Sequence, residues 1–236
     1  MPESNRLLAA LPPSDFRRLA AHLERVILPK NKILHVADEV ARHAFFVLGG
    51  MVSLQAIAPQ GTTVEIATVG AEGLVGLPII FGPNRAPYEA VVQIPGPALR
   101  ITADALLAEF RRCSALQELL LRYTHVVLAQ TSQSVVCHRF HTAAQRLSRW
   151  LLTARDHAAH HSIHLTQERI AHVLGVPRTR ISAAAAQLQE TNVIRFRHGT
   201  VTILNAARLQ ASSCECYQIV RDAIDDGYTI GAHPQQ

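Results

Sequence analysis

The side chains best suited to recognise a charged partner are arginines and hydroxyls grouped near residue 180. The run is Arg178-Thr179-Arg180, with Ser182 close behind. An arginine can donate two hydrogen bonds to a guanine base or to a phosphate, and a hydroxyl can reach either group. These residue types therefore indicate contacts with DNA. The candidate contacts are Thr166, Gln167, Arg178, Thr179, Arg180, Ser182, Arg195, Arg197 and His198.

Residues on either side of this run have the spacing of a helix-turn-helix. Ala171 is small, as required where a second helix crosses closely, and Gly175 can adopt the positive φ of a tight turn. Ile181, six residues after the glycine, can fill the space between the two helices. Thr166 can cap the first helix, and Pro177 suits the first turn of the second. In such a unit the start of the second helix enters the major groove of DNA.

A hairpin is predicted immediately downstream. The segments 193–197 and 200–204 have strand-like composition and flank His198-Gly199. Arg195 and Arg197 lie two positions apart, so they project from the same face of a strand. A two-stranded wing with paired arginines beside a recognition helix is placed to contact phosphates. The C-terminal segment therefore predicts a winged helix.

Charge and composition agree with this interpretation. The 236 residues carry a formal net charge of +5, and residues 138–210 alone hold ten arginines and three acidic residues. A basic segment behind a near-neutral one is typical of a polyanion-binding module attached to another domain. The alternative is a solvated basic face in an arginine-rich protein, with Arg178 and Arg180 as ordinary surface residues. Hydrophobic residues make up 48% of the chain, which excludes wholesale disorder.

The preceding elements must position this module. Short apolar segments between residues 24 and 101 are separated by Gly, Pro, Asn or Asp, and residues 64–69 alternate as a strand buried on one face should. They predict a β-roll or sandwich. Residues 114–139 lack Gly and Pro and predict a long helix. We expect its seam to face a second copy of the chain, the alternative being packing on its own domain. The seam is Leu116, Leu120, Tyr123, Val127, Gln130 and Ser134.

The sequence resembles the Crp/Fnr superfamily of bacterial transcription regulators over about residues 6–218. The resemblance rests on Gly70-Ala-Glu-Gly-Leu-Val-Gly76, on the long helix, and on Leu165-Thr-Gln-Glu followed by Leu174-Gly-Val-Pro-Arg-Thr-Arg180. The tail Cys214-Glu-Cys-Tyr217 resembles that of a branch common in soil bacteria.

The resemblance implies an α+β protein with three parts. These are a cyclic-nucleotide-binding-like β-roll with short flanking helices at 1–110, a dimerisation helix at 111–140 and a winged helix-turn-helix at 141–236. It implies a homodimer that binds a palindromic operator in double-stranded DNA. Further implied partners are RNA polymerase and a small-molecule effector. No apolar run approaches the ~20 residues of a bilayer span, and the N-terminus lacks the pattern of a secretion signal. We therefore expect a cytoplasmic protein with no membrane partner.

The resemblance also locates an effector pocket, from which this sequence departs. Its positions are Gly76, Leu77, Arg85, Ala86, Thr131 and Ser132. Leu77 stands where nucleotide-binding members carry the glutamate that holds the ribose, and Ala86 replaces a hydroxyl residue. Each lost polar partner costs ~1–3 kcal/mol of binding free energy. We therefore expect an effector other than cAMP, and we identify no cofactor.

Other candidate chemistry is weaker. Cys214 and Cys216 are two positions apart, and cysteines so close in sequence seldom reach disulfide geometry without strain. We therefore expect structural or surface thiols. His157, His160, His161 and His164 could bind a metal, but we expect a histidine-rich linker and predict no metal site. No catalytic triad is present, so we expect no enzyme. Two alternatives stay open: a ligand-sensing module whose helix-turn-helix contacts protein, and a hydrolase that uses the histidines.

Overall fold

The computed structural model describes residues 5–82, 84–158 and 162–228. The described chain begins with two short helices, α1 (Arg6–Ala9) and α2 (Pro13–Ala20). The strands that follow are β1 (Glu24–Leu28), β2 (Ile33–His35), β3 (His43–Val47), β4 (Met51–Ile57), β5 (Thr63–Val69), β6 (Leu74–Val75), β7 (Glu89–Ile94) and β8 (Gly96–Thr102). A short 3-10 helix (Leu77–Phe81) lies between β6 and β7.

These strands form the predicted β-roll. One antiparallel sheet has the order β1-β8-β3-β6 and the other has the order β2-β7-β4-β5. Apolar side chains from both sheets, such as Phe45, Leu54 and Val92, are buried together. The roll is therefore held by a core in which strands distant in sequence pack against each other.

The remaining elements are helical apart from a small sheet. They are α3 (Ala103–Phe110), α4 (Ala115–Phe140), α5 (Ala143–His157), β9 (Ser162–His164), α6 (Gln167–Leu174), α7 (Arg178–Glu190), β10 (Ile194–Arg197), β11 (Thr200–Ile203), α8 (Ala206–Ala211) and α9 (Cys216–Tyr228). The small sheet has the order β10-β11-β9, so the predicted two-stranded wing gains a third strand. No helix in the described part of the chain combines the length and apolar character that a bilayer span requires.

The strand prediction for residues 64–69 is confirmed, but the prediction of a single buried face is wrong. Glu65, Ala67 and Thr68 are all buried, and Ile66 packs partly against the core. The physical reason is that β5 is covered twice. Its partner sheet lies on one side, and α4 and α6 contact it as well.

The seam predicted to face a second copy packs instead inside the protomer. α9 and β5 cover this side of α4. The side chain of Gln130, for example, accepts a hydrogen bond from the backbone N–H of Thr68 at 3.1 Å. The prediction for the dimer seam is therefore wrong, because these residues contact their own chain: Leu116, Leu120, Tyr123, Val127, Gln130 and Ser134.

Candidate nucleic-acid interface

The turn between α6 and α7 has the geometry that its sequence predicts. The hydroxyl of Thr166 caps α6 by accepting a hydrogen bond from the backbone N–H of Arg169 at 3.2 Å. Gly175 ends α6 with φ 59° and ψ 39°, a left-handed conformation that costs glycine nothing. Ile181 and Ala185 are fully buried between the helices. The helix-turn-helix is thus fixed by a cap, a glycine turn and an apolar contact.

The start of α7 is exposed. Arg178, Thr179 and Arg180 all face solvent, directly after Pro177. Within the described residues, no hydrogen bond or ion pair engages the side chains of these three residues. Ser182 is more constrained, because its hydroxyl donates to the Gln167 side chain at 2.7 Å. The two arginines therefore keep all their donors available, while Ser182 and Gln167 hold the two helices together.

The wing lies beside α7 and carries exposed basic side chains of its own. In the hairpin, Arg195 is paired with Thr202 and Arg197 with Thr200. His198 and Gly199 form its two-residue turn with φ values of 48° and 70°, as hairpins of this length require. Arg195, Arg197 and His198 are exposed.

A side chain of the recognition helix fixes the position of the wing. Gln189, near the end of α7, accepts a hydrogen bond from the backbone N–H of Phe196 at 2.8 Å. The helix and the wing are therefore connected by this hydrogen bond in addition to their shared apolar core. This contribution of Gln189 was missed in the sequence, because its only signal is a polar residue near the end of a helix.

The winged helix is docked on the β-roll. The Thr63 hydroxyl lies 2.7 Å from Nε2 of His172 in α6. Arg169 donates from Nε to the Gln93 side chain at 3.1 Å. Met51, although it belongs to β4, is buried in the same apolar cluster as the helices of the winged domain. The two parts therefore share apolar and polar contacts that orient α7.

Two family models match this chain in the same order as its two parts. Residues 25–113 match the model described as a cyclic nucleotide-binding domain, and residues 145–212 match the Crp-like helix-turn-helix domain. Together they span about two thirds of the sequence. The chain belongs to the Crp/Fnr superfamily. It is a DNA-binding transcription regulator, and the alternative of a helix-turn-helix that contacts only protein is not favoured.

Known proteins resemble this Crp/Fnr regulator over most of its length. The CRP-like cAMP-activated global transcriptional regulator of Mycobacterium tuberculosis is 24% identical over 204 residues, which are 84% of this chain and 91% of that one. A Crp/Fnr transcriptional regulator from Eubacterium rectale has TM-score 0.69 at 15% identity and covers 87% of this chain and 96% of its own. The c-di-GMP responsive global regulator CLP of Xanthomonas campestris has TM-score 0.62 at 17% identity, covering 81% and 99%. The solved structures support the shared fold.

In this Crp/Fnr chain, the positions expected to form the effector pocket lie in different environments. Leu77, the first residue of the 3-10 helix, is buried in the core, and Ala86 is fully buried between the sheets. Gly76 has φ 121°, and an added Cβ there would lie 2.8 Å from Cβ of Ala44. The space around these residues is thus occupied by other groups of the protein, among them the side chains of Ala44 and His35.

The remaining expected pocket residues make local contacts. Arg85 donates to the backbone carbonyl of Asp38 at 2.5 Å. The Thr131 hydroxyl donates to the Val127 carbonyl one turn earlier at 2.9 Å, and Ser132 is exposed. Arg85 is therefore already partly engaged by the backbone.

A buried acid behind the winged helix was missed in the sequence. Glu65 lies in β5 and, together with Arg149 and Trp150 of α5, lines a small cavity. Burial raises the pKa of the Glu65 carboxyl to about 7. The available signal in the sequence was a glutamate inside a mostly apolar strand. The burial of Glu65 depends on α4 and α5, which follow much later in the chain.

The cysteines and histidines also depart from expectation. Cys214 and Cys216 are buried, so the surface-thiol alternative is wrong, and Sγ of Cys214 lies 3.7 Å from Sγ of Cys137. Nδ1 of His157 lies 3.6 Å from a Glu72 carboxylate oxygen, whereas His164 contacts Thr200 at 2.8 Å. His160 and His161 lie outside the described residues. The two described histidines therefore have separate partners.

Proposed function

We propose that this regulator acts as a homodimer that binds a two-fold symmetric DNA site through α7 and the wing. The observation that carries the proposal is the exposed run Arg178-Thr179-Arg180, whose side chains have no partner within the described residues. Two such helices, one per subunit, would occupy successive major grooves ~34 Å apart. Arg195 and Arg197 would contact the flanking phosphates.

The subunit contact in this proposal is a second stripe on α4, on its outward face. Leu121, Leu128 and Val135 recur every seven residues and are 50%, 61% and 66% exposed. His125 and Ser132 lie between them and are also exposed. An apolar side chain at every seventh position of a long helix forms one of the two rows of a coiled-coil heptad, with His125 and Ser132 in the second row. Pairing would remove these side chains from water and set the distance between the two winged helices.

We further propose that the effector is not cAMP. Leu77 is buried at the position of the expected glutamate, and Ala86 offers no hydroxyl. The relative from Mycobacterium tuberculosis is named as cAMP-activated, and the structural neighbour from Xanthomonas campestris is named as c-di-GMP responsive. The names of proteins with this fold therefore point to different effectors. We propose RNA polymerase as the partner at the promoter and the cytoplasm as the location of the protein. We propose no catalytic activity.

The test is DNA binding by the full chain, measured by fluorescence anisotropy over a salt series with fragments of its own promoter. We expect Arg178→Ala combined with Arg180→Ala to weaken binding at least ~30-fold, because each bidentate contact is worth ~1–3 kcal/mol. The slope of log affinity against log salt should fall by about 0.9 for each lost phosphate contact.

The matched control removes two positive charges elsewhere. Arg17→Ala combined with Arg25→Ala changes two exposed arginines of the N-terminal part, and its affinity should stay close to that of the unmodified protein. If both double variants bind DNA equally well, α7 does not contact DNA and the site is wrong.

A further inference from the structure

Three cysteines and a histidine meet at the junction between α4 and the winged helix. Cys137 lies in the last turn of α4, and His141 follows that helix directly. Cys214 precedes α9 and Cys216 begins it. One side-chain sulfur or nitrogen from each of the four lies within 4.8 Å of all the others. The cysteines are buried, and the His141 side chain is 11% exposed.

Two of the distances between ligand atoms of this cluster match those around a tetrahedral ion. Sγ of Cys137 and Sγ of Cys214 are 3.7 Å apart, and Sγ of Cys216 lies 3.4 Å from Nδ1 of His141. With Zn–S of ~2.3 Å and Zn–N of ~2.0 Å, a tetrahedral zinc ion spaces two sulfurs by ~3.8 Å and a sulfur and nitrogen by ~3.5 Å. These two pairs already have the spacing that the ion requires, and all four ligand atoms lie within 4.8 Å of one another.

Neighbouring groups orient these ligands as they do in metal sites. Nε2 of His141 lies 3.1 Å from a carboxylate oxygen of Glu215, which leaves Nδ1 directed at the sulfurs. A carboxylate on the second nitrogen is the usual support of a metal-binding histidine. Gln133 donates from Nε2 to Sγ of Cys216 at 3.1 Å.

A positive charge also lies near the cluster, because the Arg149 guanidinium interacts electrostatically with the Cys137 thiol. A zinc ion with three thiolates carries a net charge of −1, which Arg149 can offset. Thiolate and imidazole together are the donors that zinc prefers.

We propose that Cys137, His141, Cys214 and Cys216 form a structural zinc site that ties the end of α4 to the start of α9. Four protein ligands leave no open position on the ion, which is the arrangement of a structural rather than a catalytic site. Zinc binding displaces the thiol protons of the three cysteines to solvent and changes no oxidation state. The site would connect α4, the helix that carries the outward stripe, to the start of α9, which follows the winged helix in the chain.

The first experiment uses the reduced, full-length protein without an affinity tag. We expect elemental analysis to find one zinc per protomer. After zinc removal, one equivalent of Co²⁺ should give the absorption of tetrahedral, thiolate-bound cobalt, and Zn²⁺ should displace it. A reduced, folded protein that contains no zinc and shows no cobalt absorption would overturn the proposal. An iron–sulfur cluster on the same residues would also overturn it.

Variants test the ligand set. Cys214→Ser should weaken Co²⁺ binding by roughly 100-fold or more, whereas Cys113→Ser, at an exposed cysteine outside the cluster, should leave it unchanged. Glu215→Gln should weaken binding ~10–100-fold and keep the thiolate absorption. Because the Glu215 side chain is 65% exposed, this variant should fold even if Cys214→Ser does not. Equal Co²⁺ affinity and absorption in Cys214→Ser and the unmodified protein would place the ion elsewhere.

Discussion

The two faces of α4 are both partly apolar but lie in opposite environments. Leu120 and Tyr123 on the inward face are buried against their own chain, whereas Leu121 and Leu128 on the outward face are at least half exposed. Both faces repeat at steps of three and four residues, so periodicity does not distinguish them. The difference teaches that packing against the β-roll on one hand and α9 on the other determines which face of α4 stays exposed.

The largest expected effect comes from a charge on the outward face. Leu128→Glu should convert the proposed dimer to a monomer, because it places a carboxylate in the apolar stripe opposite its own copy. DNA affinity should then fall by two orders of magnitude or more, since each monomer binds a half-site alone. Analytical ultracentrifugation and anisotropy measure the two changes.

The control is Ile27→Glu, which introduces the same charge at an apolar side chain that is 67% exposed on β1. It should remain dimeric and bind DNA normally. A dimeric Leu128→Glu variant would show that the outward face is not the subunit contact.

A change on the inward face should affect folding instead of assembly. Leu120→Ala removes a fully buried side chain and should lower the free energy of unfolding by ~2–5 kcal/mol. The neighbouring Leu121→Ala should cost under ~1 kcal/mol when both are measured by urea unfolding in the monomeric Leu128→Glu background. Equal costs for the two variants would contradict the assignment of the faces.

The polar cavity beside the inward face of α4 should respond to pH through Glu65 of β5, which lines it together with Gln130 and Ser134. Its pKa is about 7 in the folded protein against an ordinary value of 4.5, so the unfolded chain loses this proton first as the pH rises. The folded state therefore loses stability between these two values and carries a constant penalty of about 3 kcal/mol above them. Glu65→Gln removes this penalty.

Urea unfolding of both proteins between pH 5 and pH 8 measures the difference. The stability of the unmodified protein should fall relative to Glu65→Gln as the pH rises. Glu39→Gln, at an exposed carboxyl, is the control and should follow the unmodified protein. A constant difference between Glu65→Gln and the unmodified protein would show that Glu65 is not buried in solution.

The winged helix was predictable because its signals are local. Gly175, Ile181 and the turn at His198-Gly199 act within a few residues of their own positions, and each has the predicted role in the structure. The β-roll was predictable as a fold class. The contacts of α4 and α6 with β5 were not predictable from the sequence. The seam prediction for α4 failed because the environment of these residues depends on the N-terminal helices, the β-roll and α9, which are all distant in the chain.

The sequence by itself determined the order of the parts, the helix-turn-helix and the arginines that α7 exposes, since local spacing and capping are sufficient for these features. Only the tertiary structure decided which face of α4 is free, how deeply Glu65 is buried, and that Cys137 lies beside Cys214. These are contacts between residues far apart in the chain. They form because burying apolar surface brings whole elements together, and a linear pattern does not specify which elements those are.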